Sequence, residues 1–135
     1  MTSIFMEKKT YAKGCIVSAD LTIDDAANLR DFYAAVTGWQ IDNMPMKDEG
    51  GSYEDFIMKD ENGSWAAGVC HRRGVNADLP PQWIVYVNVP DIEQSVVQCK
   101  ALGGTVLKEA RTKEGALHYA IIQDPGGALL GLTKV

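Results

Sequence analysis

The stretch Asp25-Ala26-Ala27-Asn28-Leu29-Arg30-Asp31-Phe32-Tyr33-Ala34-Ala35-Val36-Thr37-Gly38-Trp39 decides the fold, because its pattern returns in the second half of the chain. There it reads Asp91-Ile92-Glu93-Gln94-Ser95-Val96-Val97-Gln98-Cys99-Lys100-Ala101-Leu102-Gly103-Gly104. In each copy an apolar run leads to an aspartate, a helical pattern follows, and glycine closes it. Further on, each half has an apolar run ending in Asp-x-x-Gly: Asp60-Glu61-Asn62-Gly63 and Asp124-Pro125-Gly126-Gly127. Residue identity between the halves is low, so the repeat is one of pattern. A duplicated strand–helix–strand unit predicts a pseudo-symmetric cleft between the copies, where small molecules tend to bind.

Working outward, Cys15 to Ile23 reads as a strand, and Asp24 or Asp25 is placed to cap the helix with its carboxylate. Leu29, Phe32, Tyr33 and Val36 recur at helical spacing and predict one apolar face. Gly38 stops the helix, since glycine tolerates the left-handed conformation. Trp39 to Met44 reads as a strand and Pro45 to Ser52 as a polar loop, either a solvated connection or a flap. Tyr53 to Lys59 and Trp65 to His71 follow as strands around the Asn62-Gly63 turn. Arg72 to Gln82, with Gly74, Asn76, Pro80 and Pro81, reads as a linker. Then the order repeats: a strand over Trp83 to Val89, a helix capped by Asp91 with Ile92, Val96 and Cys99 inward, and strands over Thr105 to Glu109, Leu117 to Gln123 and Ala128 to Lys134. Each half is β-α-β-β-β, with modules at 15–72 and 83–134 and a linker at 73–82.

The bulk properties exclude several classes. A chain of 135 residues with 46% apolar residues forms one ordinary domain or two small units sharing a core. The net charge of −5 argues against nucleic-acid or anionic-membrane partners, which select basic surfaces. No apolar stretch has the length of a membrane span and no secretory signal pattern stands at the N-terminus, so the expected location is cytoplasmic. Cys15, Cys70 and Cys99 form no Cys-x-x-Cys and read as reduced, packed thiols. There is no phosphate-cradling glycine loop and no Gly-x-Ser-x-Gly elbow.

The Asp25…Phe32-Tyr33…Gly38-Trp39 segment resembles the first module of the vicinal-oxygen-chelate superfamily. That group includes glyoxalase I, bleomycin-resistance proteins and extradiol dioxygenases. Val89-Pro90-Asp91…Leu102-Gly103-Gly104 and Asp124-Pro125-Gly126-Gly127-Ala128…Gly131-Leu132 resemble its second module. The likeness runs from about Cys15 to Thr133 and is nearest to the small bacterial glyoxalase/bleomycin-resistance branch. It implies an α+β fold of two tandem βαβββ modules forming a curved mixed sheet around a pocket. It also implies a homodimer. In metal-using members the first and last strands of the modules supply ligands to a divalent metal, which keeps an open position for substrate oxygens. Carried over, those positions fall on Ser18, Ala67, Val85 and Gly131. Three have no side-chain donor and the fourth is a hydroxyl, so no metal cofactor is expected. A one-residue shift offers Val17 or Ala19, Ala66 or Gly68, Ile84 or Tyr86, and Leu130 or Leu132, which are no better.

Strand alternation then gives a list of inward positions. With Ser18 inward, so are Ile16, Asp20 and Thr22; with Ala67 inward, so are Trp65, Val69 and His71. Trp83, Val85 and Val87 follow on the fifth strand, and Leu129, Gly131 and Thr133 on the last. The expected ligand-binding residues are Ser18, Trp65, Trp83, Val85, Leu129 and Thr133, and the two tryptophans read equally as core or as ligand platforms. Asp20 reads either as a hydrogen-bonded structural carboxylate or as a substrate anchor or base; an inward carboxylate must be paired or neutralised. Asp20 and His71 are the candidate catalytic pair. A metal site built from Asp20, His71 and His118 has no patterned spacing in its favour. Two functions follow: a metal-free protein binding an aromatic or apolar small molecule, or a lyase or isomerase (lactoylglutathione-lyase-like in type) using Asp20 as base and His71 as acid.

Overall fold

The computed structural model describes residues 11–135, which form two units. One is Ser18–Trp83; the other is Ile84–Val135 together with residues 11–17. The first unit carries β1 (Ile16–Ile23, whose first two residues group with the second unit), α1 (Ala26–Thr37), β2 (Gln40–Asp48), β3 (Gly51–Lys59) and β4 (Trp65–His71). The second carries β5 (Trp83–Asn88, Trp83 grouping with the first unit), α2 (Ile92–Ala101), β6 (Thr105–Arg111), β7 (Leu117–Gln123) and β8 (Leu129–Thr133). The strand orders match: β2-β3-β4-β1 and β6-β7-β8-β5. In each, the first and last strands of the module pair in parallel and the others antiparallel. This is the α+β, twice-repeated βαβββ architecture that the sequence pattern predicts.

The repeat extends to individual hydrogen bonds. In the β3–β4 connection Asp60 N–H donates to Ser64 O and Gly63 N–H to Asp60 O, while Asp60 Oδ1 accepts from Asn62 and Ser64 N–H. In the β7–β8 connection Asp124 N–H donates to Ala128 O and Gly127 N–H to Asp124 O, while Asp124 Oδ1 accepts from Gly126 and Ala128 N–H. The aspartate thus builds the turn with its side chain and the glycine supplies the positive φ at its end. Asn62 itself keeps a negative φ, so this is not the two-residue turn that Asn-Gly suggests.

Other local expectations shift. Asp91 caps α2 by accepting Gln94 N–H, but the Asp25 carboxylate at the start of α1 bonds Asn28 Nδ2 and caps no backbone amide. Gly38 ends α1 at φ 80°. Of the predicted apolar face, Tyr33 packs inward and Leu29 is half-buried, but Phe32 is 56% and Val36 66% exposed. Instead Ala26, Ala27, Tyr33 and Ala34 meet Phe56, Met58, Ala67 and Val69, with the Arg30 guanidinium 4.4 Å over the Phe56 ring. Small side chains bring the helix close to its sheet, and the larger apolar ones are left outside. The segment 45–52 is not a loop; β2 runs on to Asp48 and turns directly into β3. Pro45 is tolerated because β2 is bonded only to β3 and needs no second ladder. The linker contains a 3-10 turn at Gly74–Asn76.

In the second unit, α2 packs Ile92 and Val96 on Ala120 and Leu132. Asn88, fully buried, ties the ends of this unit together. Its Nδ2 donates to Tyr11 O at 3.0 Å and Ala12 O at 3.2 Å, and its Oδ1 accepts Val135 N–H at 2.9 Å. Asn88→Ala leaves these groups unmatched and is expected to cost about 2–3 kcal/mol. Urea melts test this; a loss under about 0.5 kcal/mol, within the range of an ordinary surface substitution, would show that the clamp contributes little.

Candidate functional site

Register decides which side chains share a face. β1 pairs with β4 so that Asp20 lies opposite Gly68 and Thr22 opposite Cys70. β4 pairs with β3 so that Gly68 lies opposite Ile57, and β3 with β2 so that Asp55 lies opposite Met44. Neighbours across a ladder share a face, so Ser18, Asp20, Thr22, Cys70, Asp55, Ile57 and Met44 line one side of the first unit's sheet. The helix side is the other one, carrying Val69, Ala67, Phe56 and Met58. Four consecutive buried residues, Asp55 to Met58, show that β3 is covered on both faces.

The face away from α1 is polar at its centre. Asp20 and Asp55 are each 3% exposed and Ser18 8%. Ser18 Oγ and both Asp20 carboxyl oxygens are buried and, among the described residues, have no hydrogen-bond partner. The Gly68 amide lies near enough to Asp20 to favour its ionised form somewhat, but makes no bond of acceptable geometry. Burial dominates and, with a smaller push from the Asp55 charge, raises the Asp20 carboxyl to about 8. Asp55 is also raised by burial, although its Oδ1 accepts His71 N–H at 2.8 Å and lies 3.4 Å from His71 Nδ1. The Cys70 thiol, between the two acids, is pushed up by burial and by both carboxylates, so it is not a reactive thiolate.

At the tip of the β2–β3 hairpin, two residues along β3 from Asp55, a cleft of about 680 Å³ opens against Met46, Asp48, Tyr53 and Gly74. Arg73 lies flat on the Tyr53 ring at 4.0 Å and is held there by both oxygens of Asp48 at 2.7 and 2.8 Å. Gly50 permits this approach, since a Cβ there would lie 3.0 Å from Arg73 Nη2.

The sequence-derived site residues separate on this frame. Ser18 and Asp20 come together as expected. Ala67 and Val69 face α1, and alternation puts Trp65 on that side too; the shared face carries Gly68 and Cys70 instead. Trp83 is packed into the α1 core, its Nε1 donating to Tyr33 Oη at 3.1 Å and its ring edge-on to Tyr33 and Trp39. His71 ends β4 with its ring against Tyr53 and Phe56. In the second unit Gly131 and Thr133 lie opposite Tyr86 and Asn88, so Leu129, Gly131 and Thr133 share the face of Tyr86 and Asn88. Val85 and Val87 are therefore on the other face, that of Leu132 and α2. His118 belongs to β7 of the second unit; its Nε2 is buried without a partner among the described residues, and burial lowers its pKa. The residues that sequence reasoning missed are Asp55 and Cys70. Asp55 carried the same signal as Asp20, an acid at the head of the apolar run Phe56-Ile57-Met58.

The residues present do not fit the family's metal. Ser18 and Ala67 point to opposite faces, as do Val85 and Gly131. Shifting to Tyr86 meets a filled space: a Cβ at Gly131 would lie 2.3–2.7 Å from the Tyr86 ring, so no longer side chain fits there. Among the described residues no group of three or more His, Cys, Asp or Glu could hold an ion.

Fold and repeat define a two-module protein of the glyoxalase type. The glyoxalase-like domain family model matches residues 17–133, and the chain belongs to that family, within the vicinal-oxygen-chelate superfamily. It is 30% identical over 129 residues to "Putative glyoxylase CFP32" of Mycobacterium bovis and of Mycobacterium tuberculosis; the match covers 95% of this chain and 48% of theirs. The chain thus spans about half the length of these curated relatives. Among solved structures, a Streptomyces coelicolor methylmalonyl-CoA epimerase in complex with 2-nitronate-propionyl-CoA superposes with TM-score 0.54 at 14% identity, covering 92% of this chain and 99% of that one. Glyoxalase I of Zea mays gives 0.53 at 23%, covering 89% and 42%. Among the described residues no helix is long and apolar enough to cross a membrane.

Proposed function

We propose that this chain binds a small, largely apolar molecule on the sheet face of Ser18 and Asp20, without the metal used elsewhere in the superfamily. One observation carries the reading: Ser18 Oγ and both Asp20 oxygens are buried, adjacent on one face and unmatched among the described residues. Buried polar groups are nearly always paired, and no described residue pairs these three, which supports a ligand as their partner. Met44, Ile57 and Cys70 supply apolar surface around them. Trp83 is not part of this surface, so aromatic stacking on it is not required. The homodimer implied by the family resemblance belongs to the same proposal and is tested by sedimentation.

The second reading, acid–base chemistry, is favoured by the Asp20 carboxyl at about 8. A group titrating near working pH is suited to taking and returning a proton. The epimerases that share this fold make a proton transfer next to a carbonyl the reaction class to try first. In that reading Asp20 is the base and His71, steadied by Asp55, the acid.

The test is thermal shift and calorimetry of metal-stripped protein against a panel of small aromatic and aliphatic compounds, with Ni²⁺, Zn²⁺, Mn²⁺ and Fe²⁺ in parallel. Saturable binding of a compound that weakens at least tenfold in Ser18→Ala and Asp20→Asn is expected. Stoichiometric tight metal binding would overturn the metal-free site. Turnover retained in Asp20→Asn would sink the base, because an amide cannot accept the proton.

A further inference from the structure

We infer that the cleft at the tip of the β2–β3 hairpin is a second small-molecule site, independent of the Ser18–Asp20 reading, and that it takes a neutral, planar aromatic compound against Tyr53. Its volume of about 680 Å³ lies within the range of ordinary ligand pockets. Met46 and Tyr53 lie directly opposite each other on the β2–β3 ladder, so their half-buried side chains share one face and form its wall. A ring beside a thioether is an adaptable apolar surface that suits a flat guest. Tyr53 stands four residues along β3 from Ile57, which pairs with Gly68 beside Asp20. At about 3.3 Å per residue this separation is about 13 Å, so the two sites are distinct.

The ring is fixed before any guest arrives. The Arg73 guanidinium lies 4.0 Å over it, and Asp48 holds that guanidinium at 2.7 Å from Nε and 2.8 Å from Nη2. Asp48 Oδ1 in turn accepts Gly50 N–H at 2.8 Å. The His71 ring meets Tyr53 edge-on, at 5.9 Å and 84°. Stack, ion pair and edge contact hold the ring in one orientation, so a guest loses little affinity to ordering it. Tyr53 still keeps surface on the cleft. Trp83, one of the platforms expected from the sequence, is packed in the α1 core; Tyr53 is the aromatic ring that a cleft exposes.

The charges around the cleft oppose one another. Arg73 is paired with Asp48, and the exposed Lys47 and Glu49 flank the cleft with opposite signs. A carboxylate guest would be drawn to Lys47 and repelled by Asp48 and Glu49. An ammonium guest would be drawn to those acids and repelled by Arg73 and Lys47. A neutral ring brings no charge to desolvate and meets the apolar wall directly.

Probes of matched size decide the point by calorimetry on the full chain: 2-naphthol, its saturated analogue decahydro-2-naphthol, 2-naphthoate and 2-naphthylmethylammonium. 2-Naphthol is expected to bind about three- to tenfold more tightly than the saturated alcohol, the worth of one aromatic contact, and more tightly than either ion. Tyr53→Leu should remove the preference for the flat probe and Tyr53→Phe should keep it, with circular dichroism showing intact folds. Arg73→Gln, which releases the ring without altering it, should reduce the same preference, as befits a positioning residue. Ser18→Ala and Asp20→Asn should leave 2-naphthol binding unchanged. In the unaltered protein, the backbone amide NMR signals of Met46, Gly50, Tyr53 and Gly74 should move as 2-naphthol is added, a readout that needs no variant to fold. Absent binding, equal binding of the saturated alcohol, tighter binding of either ion, or a preference that survives Tyr53→Leu would overturn the site. Signal shifts confined to other residues would overturn it too, and loss of 2-naphthol binding in Asp20→Asn would assign the compound to the first site instead.

Discussion

Gly131→Ala is expected to destabilise the protein by about 3 kcal/mol, at the upper end of the usual range for overpacking. The new methyl would lie 2.3 Å from Tyr86 Cδ1, 2.5 Å from Cε1 and 2.7 Å from Cγ. None of these atoms is the free end of a flexible chain. Tyr86 is 1% exposed and packs edge-on against Tyr119, itself 2% exposed. The ring therefore has nowhere to swing, and β8 or β5 must shift within a ladder that pairs Tyr86 with Gly131 directly. The check is a double-mutant cycle in urea. In a Tyr86→Ala background, itself costing about 3–5 kcal/mol, the same change at residue 131 should cost almost nothing. Additive losses would show that the close approach of ring and glycine is not the cause.

Asp20→Asn is expected to make the protein more stable at alkaline pH, an unusual direction for a change at a candidate site. The carboxyl is raised from 3.8 to about 8, chiefly by burial. Between those values the folded chain holds a proton that the unfolded chain has released. The stability associated with Asp20 is thus complete below about pH 4, falls as pH rises, and is lost above about pH 8. A shift of this size at about 1.4 kcal/mol per unit gives a span on the order of 5 kcal/mol. The asparagine variant has no proton to lose, so its stability curve should lack that slope. The two proteins should be similar near pH 4 and diverge in the variant's favour up to pH 8. Chemical denaturation at half-unit intervals tests this; parallel curves would show that Asp20 is ionised and paired in the native state.

Much of the plan of both units was readable because its signals are local. Gly38 ends a helix through its own backbone freedom, and Asp60 and Asp124 build their turns with their own side chains. Asp91 caps α2 through a residue three positions on. Where the partner is remote, local reading failed. Phe32 and Val36 fit a helical apolar stripe beside Tyr33 as well as Ala26 and Ala34 do; the sheet beneath, by accepting the small residues with Tyr33, made the choice. Trp83 reads equally as core or ligand platform until Tyr33 and Trp39 are seen against it.

The site divides in the same way. Ser18 and Asp20 were found together because two residues apart on one strand means one face, a rule internal to the strand. Val85 and Gly131 were wrongly put on a common face, and Ala67 with Ser18, because each comparison crosses strands. A one-residue difference in register inverts every side chain. Asp55 was missed as Asp20's companion for the same reason: nothing in the chain says that residue 55 lies one strand beyond residue 70. By itself the sequence determined the repeat and the two βαβββ modules, since these depend on residue type and short spacing. Only the tertiary structure decided which faces align and that two buried acids share one of them, because register is set by the packing of whole sheets against their helices.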